Sequence, residues 1–327
     1  MLRVGVIGCG LMGRMHSLNC NQTEDVSVVA VADVRTDRAK ALAEELNATA
    51  YIKAETMFED TRLDAVVLAS PPFTRWPALR SATSLGIAVF AEKPVALDLC
   101  TAKACCFAVQ KSSILNGVGF QLRYSPLTQY ARTLVTGRTV THVRTACTTS
   151  YYLTADVPPW YLQREYSGGP LVEQAIHVID AARYLVGDIT HVFAQGNRPV
   201  DAGADPMDSE DSTVMVYRFA NGALGSHMDS CAMVEFNWEV ELFGPDWRLL
   251  VDYARGIVRG NIEKQHIWLE SRGVDLHELE IRTFLANVHE DNTNIVLSDF
   301  EDASKTLAVA LAGDRSLHTS AWEPVLL

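Results

Sequence analysis

The sequence predicts an α/β protein with a doubly wound parallel sheet in its N-terminal part and an open, mostly antiparallel sheet in a C-terminal α+β domain. Three observations predict this. Up to residue 120, apolar runs that are not alternating are separated by helical segments, which is typical of strands covered on both faces. Beyond it, short strands follow one another, and Asn221-Gly222 marks a tight hairpin. A chain of 327 residues is also long enough for two cores.

The first half alternates strands with helices. Its predicted strands are Val4–Ile7, Val26–Ala32, Ala65–Ala69, Ile87–Ala91 and Leu115–Phe120. Alanines and leucines at helical spacing predict helices that include Thr36–Leu46 and Thr101–Lys111. Strand–helix alternation predicts parallel pairing with helices on both faces of the sheet. We therefore expect a first domain over residues 1–120.

The second half, residues 121–327, begins with helices and continues with strands. We expect a helix at Pro126–Val135, a strand at Thr141–Tyr151, an aromatic loop at Tyr152–Tyr166 and an apolar helix at Leu171–Val186 that ends at Gly187. The later predicted strands are His191–Gly196, Thr213–Phe219, Ala223–Met228, Glu239–Phe243, Arg248–Val251 and His266–Glu270. A last helix, Phe300–Ala312, is expected to pack back on the first domain.

Composition excludes several classes of protein. The net charge of −12 would repel nucleic acid and anionic membranes, so neither is an expected partner. No apolar run approaches the ~20 residues that a membrane span needs, and the apolar start is interpreted as a strand and turn rather than a signal peptide. The seven cysteines form no metal-binding or disulfide pattern, which indicates a reducing cytoplasm and no metal site.

A glycine-rich turn follows the first strand. Gly8, Gly10 and Gly13, with Leu11 and Met12 between the last two, stand where a strand passes into a helix, an arrangement that binds a pyrophosphate at the helix N-terminus. Asp33 ends the next strand, at the distance expected of a ribose-binding acid. A carboxylate repels a 2′-phosphate, so we expect NAD and regard NADP as less favoured. An accidental turn with Asp33 as a helix cap is the alternative.

Lys93 follows the strand Ile87–Ala91, at the carboxyl edge where ligands bind in such sheets. Pro94 restricts it to an extended backbone. The alternative is an ordinary surface lysine in a loop.

Taken together, the glycine turn Gly8–Gly13, Glu92-Lys93-Pro94, and Gly168-Gly169 followed by His177 and Asp180 resemble the Gfo/Idh/MocA family. The family includes glucose–fructose oxidoreductase and inositol dehydrogenase, and the likeness extends over the whole chain. It implies a Rossmann domain, an open-sheet domain, and nicotinamide between them. The chain departs from the family's usual pattern at three positions: it has Glu173 where the family often has Asp, Gln121 where it often has Asn, and Arg75 where it often has His.

The resemblance implies roles for residues at matching positions. Lys93 and His177 would handle the reacting hydroxyl as catalytic residues. Further cofactor contacts would come from the segment after the fourth predicted strand, from the Glu-Lys-Pro motif and from the start of the second domain: Ser70, Pro71, Arg75, Glu92, Lys93 and Gln121.

The helix predicted at Leu171–Val186 is apolar on nearly every face, which is typical of a buried helix. Glu173, His177 and Asp180 nevertheless recur at i, i+4 and i+7 and so share one stripe. Ionisable groups on a buried helix must be paired or face a wet cleft. An active-site wall and a satisfied network with nearby arginines are the two interpretations, and Glu173 joins the catalytic set under the first.

These residues predict an NAD-dependent oxidoreductase, and the resemblance implies that it acts on a secondary hydroxyl or ketone carbon of a sugar or cyclitol. The expected substrate contacts are Lys93, Arg123, Tyr152, Trp160, Arg164, Glu173, His177 and Asp180. For the aromatics, core or subunit packing is an equal alternative. A glycoside-cleaving enzyme that retains NAD and a non-catalytic NAD-binding regulator are the competing functions. We expect a homo-oligomer, a dimer or tetramer, formed through the C-terminal sheet.

Overall fold

The computed structural model describes residues 1–153, 157–199, 208–290 and 296–327. Its contacts divide the chain into two units, Met1–Gln121 with Asp275–Ser304, and Leu122–Val274 with Lys305–Leu327. The first boundary adjoins the predicted one after residue 120, whereas the segment Asp275–Ser304, which the sequence assigned to the second domain, belongs to the first unit. The predicted loop Tyr152–Tyr166 includes residues 154–156, which lie outside the described part of the chain.

The chain forms strands and helices in the following order. The strands are β1 (Leu2–Ile7), β2 (Val26–Ala32), β3 (Thr49–Tyr51), β4 (Ala65–Leu68), β5 (Ala88–Ala91), β6 (Asn116–Val118), β7 (His142–Thr148), β8 (Ile189–Asn197), β9 (Ser212–Phe219), β10 (Leu224–Ser230), β11 (Asn237–Phe243), β12 (Arg248–Asp252), β13 (Ile257–Ile262), β14 (Gln265–Glu270) and β15 (Glu323–Pro324). The helices are α1 (Leu11–Asn21), α2 (Thr36–Leu46), α3 (Ala54–Asp60), α4 (Arg75–Leu85), α5 (Leu99–Ser112), α6 (Pro126–Val135), α7 (Arg164–Ser167), α8 (Ile176–Val186), α9 (Leu276–Glu290) and α10 (Phe300–Thr319).

The first unit is built on a six-stranded sheet in the order β3-β2-β1-β4-β5-β6, and every described pair in it is parallel. All residues of β4 and β5 are buried, because apolar side chains on both faces are covered by helices. The core includes Val4, Val67 and Phe90 from the sheet and Phe284 from α9. This strand order is that of a doubly wound dinucleotide-binding fold, and it confirms the predicted parallel sheet.

The second unit is built on a nine-stranded sheet in the order β14-β13-β12-β11-β7-β10-β9-β8-β15. Its described strand pairs are antiparallel except β7 with β10, which confirms the predicted mostly antiparallel sheet. Asn221-Gly222 lies between β9 and β10, which pair as the predicted hairpin. One face of the sheet is covered by helices, with α8 in contact with β7 and β11.

The other face of this sheet carries apolar side chains that point away from the core. Along β9 and β10 burial alternates, so that every second residue is exposed. Val214, Val216, Leu224 and Met228 are exposed by 59%, 41%, 47% and 41%. We call these four residues the outer patch. Apolar side chains side by side on a sheet face are typical of an interaction surface.

The sequence missed several elements. The short strands β3 and β15 are three and two residues long, too short for an apolar run to reveal them. The strand β13 and the 15-residue helix α9 were also missed. The predicted helix Leu171–Val186 is a π-helical segment, Leu171–Ala175, that continues into α8. None of the helices in the described ranges has the length and apolar character that crossing a membrane requires.

Candidate active site

The turn after β1 has the geometry of a dinucleotide cradle. Gly8 has a φ of +96°, which favours glycine, and a Cβ on Gly13 would overlap the Gly8 carbonyl. At Gly10, by contrast, a Cβ would meet only Arg38, at 3.8 Å. The helix α1 starts at Leu11 with Gly10 as its N-cap, and within the described residues no side chain caps it. The open side of Gly10 and the amides of α1 therefore fit a pyrophosphate.

Asp33 follows β2 directly, and a hydrogen bond holds its carboxylate against this turn. Its Oδ2 accepts a hydrogen bond from the Cys9 amide at 2.7 Å, and its Oδ1 accepts one from the Arg35 amide at 2.8 Å. Each oxygen has a second lone pair for ribose hydroxyls. The Arg35 guanidinium turns to Asp37, at 2.9 Å, where its charge is balanced. The turn thus presents a carboxylate where NAD has hydroxyls, and the residues present fit NAD.

Arg75 ties together the ends of two neighbouring strands. Its side chain is buried, and its Nε donates to the Ser70 carbonyl at 2.6 Å. Its Nη1 donates to the carbonyls of Glu92 and Pro94, the second at 2.6 Å. Arg75 therefore holds the segments after β4 and β5 in register at the carboxyl edge of the sheet. Whether Arg75, Ser70 and Pro71 also contact the cofactor stays a prediction.

Glu92 and Lys93 follow β5 and differ in burial. The Glu92 side chain is buried and its Oε1 lies 2.7 Å from His16 Nε2 of α1, whereas Lys93 is half-buried. Burial alone would raise the pKa of Glu92, but the hydrogen bond and charge of His16 lower that pKa to about 2. Glu92 is thus an inward-facing carboxylate beside Lys93. The predicted contact between Glu92 and the cofactor stays untested.

Gln121 ends the first unit. Its side chain is buried, and among the described residues its Oε1 has no hydrogen-bond partner. It follows β6 at the same carboxyl edge as the glycine turn and Lys93, because all six strands run parallel. A buried amide oxygen at this edge can accept from a bound cofactor, which agrees with the predicted role.

Glu92 belongs to a group of two histidines and two glutamates, the one cluster in the described part of the chain whose donor atoms could hold a metal ion. His16, Glu92, His277 and Glu280 each offer a donor atom, and these four atoms lie within 4.8 Å of one another. His277 Nδ1 is 3.2 Å from Glu280 Oε1. The histidines show no metal-ligand spacing along the sequence, because the four residues of this cluster come from three elements that are distant in the chain.

In the second unit, Glu173 and His177 are both buried but have different partners. Glu173 Oε1 accepts a 2.6 Å hydrogen bond from the Tyr161 hydroxyl, and its Oε2 accepts one from Gln174. The His177 ring stacks on Trp238 of β11, with centroids 4.8 Å apart and an angle of 27°. Trp238 is a neighbour that the sequence analysis missed, because the strand was predicted to begin at Glu239. The π-helical segment that holds Glu173 is a feature common at functional sites.

Asp180 is fully buried in an ion pair with Arg123. The pair is bidentate, with nitrogen–oxygen distances of 2.7 and 2.6 Å. Thr306 also donates to Asp180, at 2.7 Å, and accepts a hydrogen bond from Arg183 at 2.6 Å. This is the satisfied network that the sequence analysis held as the alternative for the stripe. A contact of Arg123 or Asp180 with substrate stays a prediction.

The remaining predicted substrate residues have partners within the second unit. Tyr152 is buried with Leu162 and Cys231 in a small apolar cluster, and burial raises the pKa of its hydroxyl. Trp160 packs on Tyr161, with ring centroids 4.5 Å apart. Arg164 forms ion pairs with Asp314 and Glu210. Trp160 is thus beside the tyrosine that holds Glu173, whereas Arg164 is engaged with carboxylates.

Comparison with known proteins agrees with both units. A family model described as an oxidoreductase family with an NAD-binding Rossmann fold, GFO_IDH_MocA, matches residues 2–120. The GFO/IDH/MocA C-terminal domain model matches residues 128–249. Myo-inositol 2-dehydrogenase of Thermotoga maritima is 29% identical over an alignment that covers 97% of this chain and 96% of that protein. The scyllo-inositol 2-dehydrogenase (NAD(+)) of Bacillus subtilis is 27% identical, over 96% and 94%.

Solved structures give the same result. A probable dehydrogenase from Thermotoga maritima has a TM-score of 0.84 at 27% identity, over 99% of both chains. Levoglucosan dehydrogenase, in complex with NADH and levoglucosan, shares the fold, with a TM-score of 0.88 at 22% identity over 100% of both chains. The sequence motifs, the two folded units and these matches lead to one conclusion. The chain belongs to the Gfo/Idh/MocA family of oxidoreductases, and its cofactor is NAD.

Proposed function

We propose that this chain is a dehydrogenase that transfers a hydride between nicotinamide and a secondary hydroxyl or ketone carbon of a cyclitol or sugar. The observation that carries the proposal is that the predicted cofactor-binding and catalytic residues of the first unit lie at one edge of the parallel sheet, the carboxyl edge. The glycine turn after β1, the Asp33 carboxylate after β2 and Lys93 after β5 all stand at this edge. The names of the relatives, inositol and levoglucosan dehydrogenases, support the substrate class.

In this proposal Lys93 and His177 act on the same hydroxyl. The pair takes the hydroxyl proton, and the Lys93 charge stabilises the developing alkoxide. When bound, NAD supplies the carbon that accepts the hydride. Stacking on Trp238 restricts the His177 ring to one plane, so its nitrogens keep a constant direction. We assign the role of base to Lys93 and His177 together.

Glu173 supports this pair or binds a second substrate hydroxyl. Its carboxylate is held by Tyr161 and Gln174, so it presents its oxygens in a fixed direction. Trp160 packs against Tyr161 at a tilt of 59° and provides an aromatic ring of the kind that packs on sugar CH groups. We give Arg123 and Asp180 a structural role, since the two side chains neutralise each other's charge in a buried ion pair.

The substrate is tested with a panel that contains myo- and scyllo-inositol, levoglucosan and simple glucosides. NADH formation is followed with NAD and, in parallel, with NADP. We expect stoichiometric NADH from at least one cyclitol or sugar. Glycoside cleavage with only catalytic NAD would instead identify the NAD-retaining glycoside-cleaving enzyme. NAD binding without turnover of any member of the panel would favour the regulator.

The site is tested with Lys93→Met, which removes the charge and keeps much of the stem. General acid–base contributions predict a fall in kcat of about 10²–10⁴-fold with NAD affinity retained. Lys103→Met is the matched control, because Lys103 is an exposed lysine of the same unit, and it should leave kcat unchanged. A Lys93→Met enzyme with near-normal kcat on its substrate would refute the assignment.

We also propose that the chain self-associates through the outer patch. Its four apolar side chains lie side by side on paired strands, and covering them removes apolar surface from water. Sedimentation velocity at micromolar concentration should show a dimer or tetramer. Val216→Lys should shift the protein towards monomer, whereas Arg218→Lys, one exposed position along the same strand, should not. A wild-type monomer would overturn the proposal.

We place the protein in the cytoplasm. All seven cysteines are free thiols. Unpaired thiols persist where the compartment is reducing. Fractionation of the source cells would test this assignment.

A further inference from the structure

The cluster of His16, Glu92, His277 and Glu280 lies behind Lys93 and has no part in the function proposed above. His16 belongs to α1, Glu92 follows β5, and His277 and Glu280 belong to α9. His16 and Glu280 are fully buried, Glu92 nearly so, and the His277 side chain is 28% exposed. Three elements that are distant in sequence therefore bring four ionisable groups together in the interior of the first unit.

Charge balance limits what this cluster can contain. Two buried carboxylates are costly unless cations or protons offset them. Two protons on the imidazoles would do so, and so would one divalent cation. Metal-bound histidines nearly always donate a hydrogen bond from their other ring nitrogen, whereas among the described residues His16 Nδ1 has no partner. The direct contacts of 2.7 Å between His16 and Glu92 and 3.2 Å between His277 and Glu280 favour shared protons.

We propose that His277 and Glu280 are positioning residues, which share protons with His16 and Glu92 and so keep the Glu92 carboxylate facing inward and charged behind Lys93. This inference rests on the proposed function, in which Lys93 acts on the substrate hydroxyl. Glu92 is the residue directly before Lys93, so a Glu92 that loses its partners and turns outward would displace the lysine. The network on α9 thus acts on the reaction only through Glu92.

The ionisation of the groups agrees with this arrangement. Burial lowers the pKa of His277, but the hydrogen bond and charge of Glu280, with smaller contributions from Glu92 and Asp275, raise it overall. Burial raises the pKa of Glu280 despite His277. The groups that face His277 are His16 on α1, Glu92 after β5, and Asp275 and Glu280 at α9. Glu280 thus lets His277 keep a proton that burial alone would make it release at lower pH.

The test uses Glu280→Gln, which keeps the shape and hydrogen-bonding capacity but removes the ionisable group. The matched control is Glu278→Gln, a glutamate of the same helix that is paired with Arg282 near the surface. In Glu280→Gln we expect kcat to fall about tenfold, with the Kd for NAD within twofold of wild type. We also expect the acid limb of the kcat profile to move to lower pH by about half a unit. The variant has one buried carboxylate fewer, so the protonated form of the base is less stabilised and its pKa falls. A role in packing alone would leave that profile unchanged.

A second measurement needs no substrate. The raised pKa values of His277 and Glu280 mean that their protonated forms stabilise the fold, so this stability is present at low pH and lost as pH rises through the folded values. The wild-type Tm should therefore fall more steeply above pH ~6.5 than the Tm of Glu280→Gln. The control should follow the wild type.

The outcomes separate this inference from the proposed function. If the wild type turns over no cyclitol or sugar, the proposed function fails, and the Tm measurement still decides whether the pair shares a proton. If Lys93→Met is inactive but Glu280→Gln keeps the wild-type kcat profile, the positioning role alone is refuted. Stoichiometric binding of Zn²⁺ to the wild type, measured by calorimetry and lost in Glu280→Gln, would replace the proton network with a metal site.

Discussion

Removing Asp180 should show what the buried ion pair contributes to the second unit. Asp180 is fully buried, and Asp180→Ala would leave the Arg123 guanidinium, only 3% exposed, without the carboxylate that balances it. It would also remove the acceptor of the Thr306 hydroxyl. Removing one partner of a buried pair costs about 3–5 kcal/mol. For a unit of this size each kcal/mol lowers the Tm by about 2–4 °C, so a fall of about 6–20 °C follows.

The assay compares urea and thermal unfolding of three variants with the wild type. Glu235→Ala is the control, because Glu235 also pairs with an arginine of the same unit, Arg255, and both of these side chains are exposed, by 78% and 59%. Exposed pairs contribute about 0–1 kcal/mol, so the control should lose little. The double variant Arg123→Met/Asp180→Leu should recover much of the stability, since it removes both charges of the buried pair. The structural role would be refuted if Asp180→Ala lowered the free energy of unfolding by less than 1 kcal/mol. It would also be refuted if that variant kept the wild-type stability but lost substrate affinity.

Three further results are expected. Asp33→Ala should weaken NAD binding more than NADP binding, as measured by fluorescence titration, because the carboxylate accepts from ribose hydroxyls but repels a 2′-phosphate; an unchanged ratio would assign the preference to another group. Glu173→Gln should lower turnover with NAD affinity nearly intact, and an equal loss of cofactor binding would contradict a catalytic role. His16→Gln should lower the Tm at pH 7. The pKa of about 2 at Glu92 means that the stabilisation is present above the ordinary value of 4.5 and lost as pH falls towards 2, so the Tm difference between wild type and His16→Gln should narrow over that range.

Local patterns predicted the elements whose residues are buried on both faces or follow one period. The strand β2 and the helix α2 have the bounds that the sequence predicted, Val26–Ala32 and Thr36–Leu46. The glycine turn was also recognisable, because Gly8 and Gly13 meet steric needs of the adjacent backbone and Gly10 leaves its side open for a ligand. The helix α9 was missed although Ile281, Phe284, Leu285 and Val288 recur at helical spacing and pack in the core, so its sequence did contain the signal of a helix.

The roles of ionisable side chains depended on partners that no sequence pattern connects. The spacing of Glu173, His177 and Asp180 placed them on one stripe, but Tyr161, Trp238 and Arg123 give each a different environment. These partners come from other elements, and their approach is decided when the sheet and helices pack. His16 and His277 come from distant parts of the chain and are brought into contact in the same way.

The sequence by itself determined the two-part α/β architecture, the NAD cradle and the family, because these rest on short-range periodicity and on motifs of a few adjacent residues. Only the tertiary structure decided that Asp180 neutralises Arg123 and that the Glu92 carboxylate turns inward to His16. The charge and direction of a buried group follow from whichever groups surround it. Those neighbours are selected by long-range packing, which the order of residues along the chain does not display.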